Sequence, residues 1–133
     1  MCLVTSSINP KIAKKDITCY KVVRSFKWFP VIWKSAWGFS KKNYLFNKKI
    51  TEKVPFDVRY SDSFESGCAI HGGGFHSFNN KDIDDYKQKL DSCFKLSPFW
   101  KFEICRCTIP VGTEYYNGIC NDIVSKSIIV HKP

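Results

Sequence analysis

The sequence has no run of about 18 or more apolar residues, and its amino terminus has neither the basic region nor the apolar core of a signal peptide. We therefore expect no membrane span and a chain that stays in a reducing cytoplasm. A hydrophobic content of 44%, with 16% aromatic residues, argues against disorder. The length of 133 residues suits one folded domain with a core of its own.

The chain also lacks the G-x-S-x-G turn of serine hydrolases and the G-x-x-x-x-G-K-[ST] loop of nucleotide-binding enzymes. The stretch His71-Gly72-Gly73-Gly74 matches the oxyanion loop of lipases, yet no nucleophile elbow accompanies it. We expect these glycines to provide positive φ or a close backbone approach instead. Cys2 would make an N-terminal nucleophile after removal of Met1, but folds of that kind generally need a longer chain.

No C-x-x-C pair is present among the seven cysteines, and their odd number argues against a disulfide framework. We expect buried free thiols, no bound metal and no cofactor. The alternative is a zinc site, since Cys-x-Cys on a strand places both sulfur atoms on one face. Its candidate ligands are Cys105, Cys107, Cys120, Cys68, His71 and His76.

The net charge of +9 is concentrated in the first part of the chain. Residues 1–60 hold 13 Lys and Arg against 3 Asp and Glu, a net of +10, whereas residues 61–133 hold 8 against 9, a net of −1. Such a field attracts polyanions, either the phosphates of a nucleic acid or an acidic protein surface. The sequence therefore predicts a binding surface in the first half.

Aromatic residues are interleaved with this basic charge, above all between Arg24 and Tyr44. Lysine neutralises phosphates while flat rings stack on unpaired bases, so the combination suits RNA or single-stranded DNA. The alternative is that the tryptophans fill the core and the lysines form a solvated surface. The candidate binding residues are Lys27, Lys34, Lys41, Lys42, Lys48, Lys49, Trp28, Trp33 and Trp37.

The residue pattern predicts an α+β fold, a single strand-rich domain over residues 1–133 with an irregular N-terminal arm at 1–16. One helix is expected over about 81–94, with Asn80 as N-cap and acidic residues in its first turn, packed on a mainly antiparallel sheet. Residues 61–74 carry loop signals. Strands are expected at Ile17–Val23, Tyr44–Ile50, Phe56–Tyr60, Phe75–Phe78, Phe99–Ile109 and Ser127–His131.

Several motifs resemble small uncharacterised proteins of bacterial phages and prophages. They are the Met1-Cys2-Leu3 start, Gly74-Phe75-His76-Ser77-Phe78, the stretch from Cys107 to Tyr116, and Asp122 to Val130. The resemblance does not extend over residues 24–73. It implies a protein in the cytoplasm of a bacterial host cell, where a basic phage protein of this size would inhibit a host-defence nuclease, including an RNA-guided one, as anti-CRISPR proteins do.

The order of elements is also distantly similar to ADP-ribosyltransferases, which act on NAD. That likeness implies a site formed by Tyr20, Ser77 and Glu114, although the Ser-Thr-Ser and Glu-x-Glu patterns of those enzymes are absent. We therefore favour a non-enzymatic binding protein that engages RNA or a complex of RNA with protein. An ADP-ribosyltransferase-like enzyme is the alternative.

Overall fold

A computed structural model describes residues 3–5, 9–26, 34–35, 45–60, 68–79, 85, 88, 100–119 and 121–132. Every secondary-structure element among these residues is a β-strand, and every strand pair is antiparallel. The strands are β1 (Leu3–Thr5), β2 (Lys11–Ile12), β3 (Ile17–Phe26), β4 (Lys34–Ser35), β5 (Lys49–Thr51), β6 (Asp57–Tyr60), β7 (Cys68–Gly72), β8 (Phe75–Phe78), β9 (Trp100–Ile109), β10 (Glu114–Asn117), β11 (Asp122–Ser125) and β12 (Ser127–Val130).

The centre of the fold is the pairing of β3 with β9, which runs over ten residues from Ile17 opposite Ile109 to Phe26 opposite Trp100. Both strands alternate side chains between two faces, as extended backbone requires. On one face Cys19 opposes Cys107, and both are fully buried in the main core. On the other face Val22 belongs to a second cluster, so the two long strands are covered on both sides.

Around this pair lies a nine-stranded sheet in the order β2-β10-β11-β8-β3-β9-β12-β5, with β4 also paired to β3. In this order β11 and β12 are four positions apart, yet Lys126 alone separates them in sequence. Four strand spacings in a flat sheet cover about 19 Å, whereas two residue steps of chain reach about 7 Å. The sheet must therefore curl until its two sides approach each other.

Lys126 is the residue at which the two sides meet. Its backbone N–H donates to the carbonyl of Glu114 at the start of β10 (2.9 Å), and its carbonyl accepts from the N–H of Glu52, just after β5 (2.8 Å). Its ammonium donates to the carbonyls of Val54 and Gly73, the latter at 2.9 Å. The stretch from β11 to β12 is thus one extended segment, bent at Lys126, that pairs with both sides of the curled sheet.

The curled sheet encloses the main core, to which β3, β8, β9, β11 and β12 each contribute apolar side chains. A second sheet of three strands, in the order β1-β7-β6, packs on the outer side of β10 and β11. Leu3 and Ile70 of this small sheet contact Tyr116 and Val124 of the large one, and all four are buried. The described part of the molecule therefore has two layers joined by an apolar interface.

The glycines between β7 and β8 have a packing role. Gly73 adopts φ +83°, and a Cβ there would collide with the backbone of Pro55. At Gly74 a Cβ would come within 2.5 Å of Val124 Cγ1 and 3.1 Å of the Phe56 ring. The prediction that this run provides positive φ and close approach is confirmed.

The α+β prediction is wrong for the described part of the chain, because its elements are all strands. Of the helix expected over 81–94, packed on the sheet, only Asp85 and Gln88 are described; both have helical backbone and are exposed, and two isolated residues do not form an element. No helix in the described ranges is long and apolar enough to cross a membrane. Acidic capping and helical spacing are local signals, whereas the strand pairings that dominate this fold join residues far apart in sequence.

The strands at Ile17–Val23, Phe75–Phe78 and Phe99–Ile109 are confirmed as β3, β8 and β9. The prediction was wrong at 61–74, because β7 lies within the expected loop. The strand expected at Tyr44–Ile50 was placed too early. In the structure β5 begins at Lys49, and Asn47, with φ +61°, lies in the turn before it. Within the expected N-terminal arm, β1 and β2 pair with β7 and β10.

Alanine substitution at Gly74 tests the contact between the β7–β8 turn and β11. We expect Gly74→Ala to lower the free energy of unfolding by about 1–3 kcal/mol, because the added methyl group overpacks Val124 and Phe56. Gly72→Ala is the control, since a Cβ there meets nothing within 4 Å. Urea denaturation followed by tryptophan fluorescence measures both, and equal stability of the two variants would contradict the packing role.

Removal of the Lys126 ammonium tests the closure of the sheet. We expect Lys126→Met to cost about 1–2 kcal/mol of unfolding free energy, because the carbonyls of Val54 and Gly73 lose a charged donor while the apolar stem remains. Lys132 is exposed, so Lys132→Met should stay within about 0.5 kcal/mol of the parent. The same denaturation experiment compares them. An unchanged free energy of unfolding in Lys126→Met would show that the backbone hydrogen bonds alone hold the closure.

Candidate functional site

A cleft of about 530 Å³ opens beside the start of β3, lined by Lys11, Ile12, Lys14, Lys15, Ile17 and Tyr115. Among the residues that the structure describes, its lining contains three lysines and no acidic residue. The lysines are exposed, whereas Ile17 and Tyr115 are partly buried and pack against the main core. The cleft thus combines a cationic rim with an apolar and aromatic floor.

The segment that carries the three lysines is held against the turn between β9 and β10. The N–H of Ala13 donates to the carbonyl of Thr113 (2.9 Å), and the carbonyl of Ala13 accepts from Gly112 (2.7 Å). A carboxylate oxygen of Asp16 accepts from the N–H of Val111 at 2.9 Å. Gly112 has φ +85°, which a glycine adopts without steric cost. The segment is therefore fixed by the backbone N–H and carbonyl of Ala13 and by the side chain of Asp16.

The strand register brings a lysine next to the aromatic ring of the floor. Lys11 lies directly opposite Tyr115 in the pairing of β2 with β10. Opposed residues of an antiparallel pair project to the same face, with Cβ atoms about 4.5–5.5 Å apart. Tyr115 is also paired on its other side, with Ser125 of β11. A cation and an aromatic side chain are thus held side by side on two paired strands.

Few of the predicted binding residues lie in the described ranges. Lys48 lies just before β5 and Lys49 is its first residue. Both are exposed, and neither lines the cleft. Lys34 is in β4, opposite Arg24. The remaining candidates, Lys27, Lys41, Lys42, Trp28, Trp33 and Trp37, lie outside the described residues.

The three residues of the transferase alternative do not share one face. Tyr20 pairs with Phe78, so the neighbouring Ser77 projects to the opposite side of the sheet. Ser77 is fully buried in that interior, whereas Glu114 is exposed at the start of β10. The described geometry brings no pair of them together.

Four cysteines are described, and all are buried free thiols, as expected: Cys19, Cys68, Cys105 and Cys107. Cys68 belongs to the small sheet and the other three to the main core. No group of three or more His, Cys, Asp or Glu side chains in the described ranges is arranged to hold a metal ion.

Three of these thiols form a cluster inside the curled sheet. A hydrogen bond from Cys107 lowers the pKa of Cys19 below its usual value, and Ser77 and the Lys21 ammonium add to this effect against the cost of burial. Burial raises the pKa of Cys105 to about 12, helped by the carboxylate of Glu103. Because these cysteines are fully buried, the cluster does not present a nucleophile to a substrate.

His76 is a buried titratable group on β8, near the middle of the sheet. Its Nε2 lies 3.4 Å from Oδ2 of Asp122, and its ring packs edge-on against Phe78. Burial lowers the pKa of His76, and the hydrogen bond to Asp122 opposes that change in part. Gly118 leaves room for Asp122, because a Cβ there would collide with the carboxylate. The His76 side chain is almost fully buried, whereas that of Asp122 keeps 13% of its exposure.

The sequence interpretation missed Lys11, Lys14, Lys15 and Tyr115 as one site. Three lysines within five residues were a usable signal, but they fell in a segment expected to be an irregular arm. Tyr115 is distant in sequence, and only the pairing of β2 with β10 brings it to the lysines.

The lowered pKa of His76 predicts a pH-dependent stability. Between the folded pKa and 6.5 the unfolded chain binds more protons, so the free energy of unfolding should fall as the pH drops below about 6.5, by up to about 1.4 kcal/mol per pH unit. Denaturation at a series of pH values from 7.5 to 5.5 measures this. His76→Gln should flatten the slope, and an unchanged slope in that variant would assign it to other groups.

The chain matches no protein-family model, no curated protein and no solved structure. The geometry of its own residues therefore carries the functional assignment.

Proposed function

We propose that this protein is a small non-enzymatic binding protein that engages RNA, alone or in a complex with protein, through its basic surface. The observation that supports this most directly is the cleft with Lys11, Lys14 and Lys15 at its rim and an apolar floor. Lysine ammonium groups bind phosphates by displacing counterions from the nucleic acid. The cleft provides three such groups on a segment that the fold already holds in place.

The distribution of charge supports the same function. The excess of cations lies in residues 1–60, where Lys11, Lys14, Lys15, Lys48, Lys49 and Lys53 are exposed. Lys21 is buried and donates to the carbonyl of His76, so it belongs to the interior. The other lysines create a field that accelerates the encounter with a polyanion. Lys48 and Lys49 extend the proposed surface beyond the cleft.

The resemblance to phage proteins extends the proposal to a biological role. A small basic protein that occupies the RNA of an RNA-guided nuclease, or the groove that holds it, would block that nuclease in the bacterial cytoplasm. The proposal is thus an anti-CRISPR-like inhibitor of host defence. Tyr20, Ser77 and Glu114 offer no shared face for NAD, so nothing in the described geometry favours the transferase alternative.

Charge reversal in the cleft tests the proposed function. We expect Lys11, Lys14 and Lys15→Glu together to abolish binding of single-stranded RNA at low salt, or to reduce the slope of log affinity against log salt by about 2 for three lost phosphate contacts. Fluorescence anisotropy with labelled oligouridine at several salt concentrations measures both quantities.

The control replaces Arg59, Arg106 and Lys132 by Glu, three exposed cations that do not line the cleft. Both triple variants change the net charge from +9 to +3, since each replacement removes two charge units. The control should retain most of the affinity and its salt slope. Equal losses in the two variants would mean that net charge alone attracts RNA. A further variant, Lys41, Lys42, Lys48 and Lys49→Glu, measures how much these lysines, predicted from the sequence, contribute to RNA binding.

A further inference from the structure

Tyr115 contributes to the cleft in a way that phosphate binding alone does not require. Its side chain packs against the main core and also lines the cleft. Its backbone lies between two paired strands, opposite Lys11 of β2 and Ser125 of β11. A ring fixed in this manner loses little conformational freedom when a ligand covers it. The floor of the cleft is therefore a preformed aromatic platform.

The cations stand close to this platform. Lys11 projects to the same face as Tyr115 from the directly opposed position, and Lys14 and Lys15 follow on the segment that hydrogen bonds fix to the β9–β10 turn. Ile17, which packs against the main core as Tyr115 does, adds an apolar side chain to the lining. A ligand that matches the cleft must combine a flat apolar group with negative charge about one side-chain length away.

An unpaired nucleotide has this combination. Its base presents a flat face that stacks on aromatic side chains, and its phosphates lie next to that base along the strand. In a duplex the base faces are covered by neighbouring bases and cannot reach a floor of this kind. The volume of about 530 Å³ falls within the range of small-molecule sites, which suits a nucleotide better than a helix.

We propose that the cleft binds an unpaired nucleotide of single-stranded RNA, with the base stacked on Tyr115 and the adjoining phosphates held by Lys11, Lys14 and Lys15. This inference rests on the proposed function and adds to it the strand state of the RNA. It predicts that the protein distinguishes single strands from duplexes and bases from bare backbone. An acidic peptide would satisfy the lysines but would leave the platform unused.

The test compares polyanions on the intact chain: the single strands and oligoglutamate have equal length and charge, and the duplex is matched to them in total charge. The probes are oligouridine, an abasic ribose-phosphate oligomer, an oligouridine–oligoadenosine duplex and oligoglutamate. We expect oligouridine to bind about 5- to 100-fold more tightly than the abasic oligomer, since a base stacked on an aromatic side chain contributes this much. The duplex should bind more weakly than the single strand. Equal affinity for oligouridine and the abasic oligomer would overturn the inference.

Substitutions at Tyr115 provide the second arm. Tyr115→Phe keeps the ring and should bind oligouridine as the parent does, within about twofold. Tyr115→Leu keeps an apolar group against the core but removes the ring, so it should bind oligouridine and the abasic oligomer with similar affinity. Thermal unfolding checks that both variants fold. Full discrimination retained by Tyr115→Leu would contradict the role of the ring.

The outcomes separate this inference from the proposed function. If the cleft lysines are needed for RNA binding but bases add nothing, the proposed function stands and the stacked nucleotide is wrong. If oligouridine does not bind at low salt, both are wrong. Binding of oligoglutamate in that case would assign the cleft to an acidic protein partner.

Discussion

The closure at Lys126 determines the shape of the molecule. One residue joins β11 to β12, although the two strands lie on opposite sides of the pair formed by β3 and β9. A flat sheet cannot satisfy this connection, because the distance across the intervening strands exceeds the reach of the chain. The backbone of Lys126 bonds to both sides, and its ammonium, held above the Phe56 ring at 4.5 Å, bonds to the segment before β6 and the β7–β8 turn. Burial lowers the pKa of this ammonium, which the carboxylates of Glu52 and Glu114 oppose.

The curl of the large sheet buries apolar side chains on its inner face. Side chains from five strands meet inside, among them the thiols of Cys19, Cys105 and Cys107. Cysteine is a small apolar residue in this setting. Burial raises the pKa of Cys105, and the hydrogen bond with Cys19 together with burial raises the pKa of Cys107, so these two thiols do not form a reactive site. The small sheet covers part of the outer face through Leu3 and Ile70. The polar and charged groups of the cleft are left at the margin of the interior, where Ile17 and Tyr115 form both core and floor.

The sequence predicted the parts of this fold that local pattern controls. Alternating apolar residues identified β3 and β9, whose two faces carry different core clusters. The positive φ of Gly73 was predicted from the run of three glycines. The parts it missed depend on partners distant in sequence. The residues of β7 have loop signals in the sequence, and they form a strand because β1 and β6 pair with it. The N-terminal lysines were expected in an irregular arm, and they belong to a site because Tyr115 lies opposite Lys11.

The pairing of β2 with β10 also has a consequence for the order of events during synthesis. Ile12 pairs with Glu114, and β3 pairs over its whole length with β9, so within the first half of the chain the described strands of the large sheet offer β2 no partner and β3 only the two-residue β4. At about 5–20 residues per second, translation leaves β2 without β10 for roughly 5 to 20 seconds. The positive charge of the amino-terminal part resists self-association during that interval. The cleft is thus completed late, only after the ribosome has delivered the strand that carries its floor.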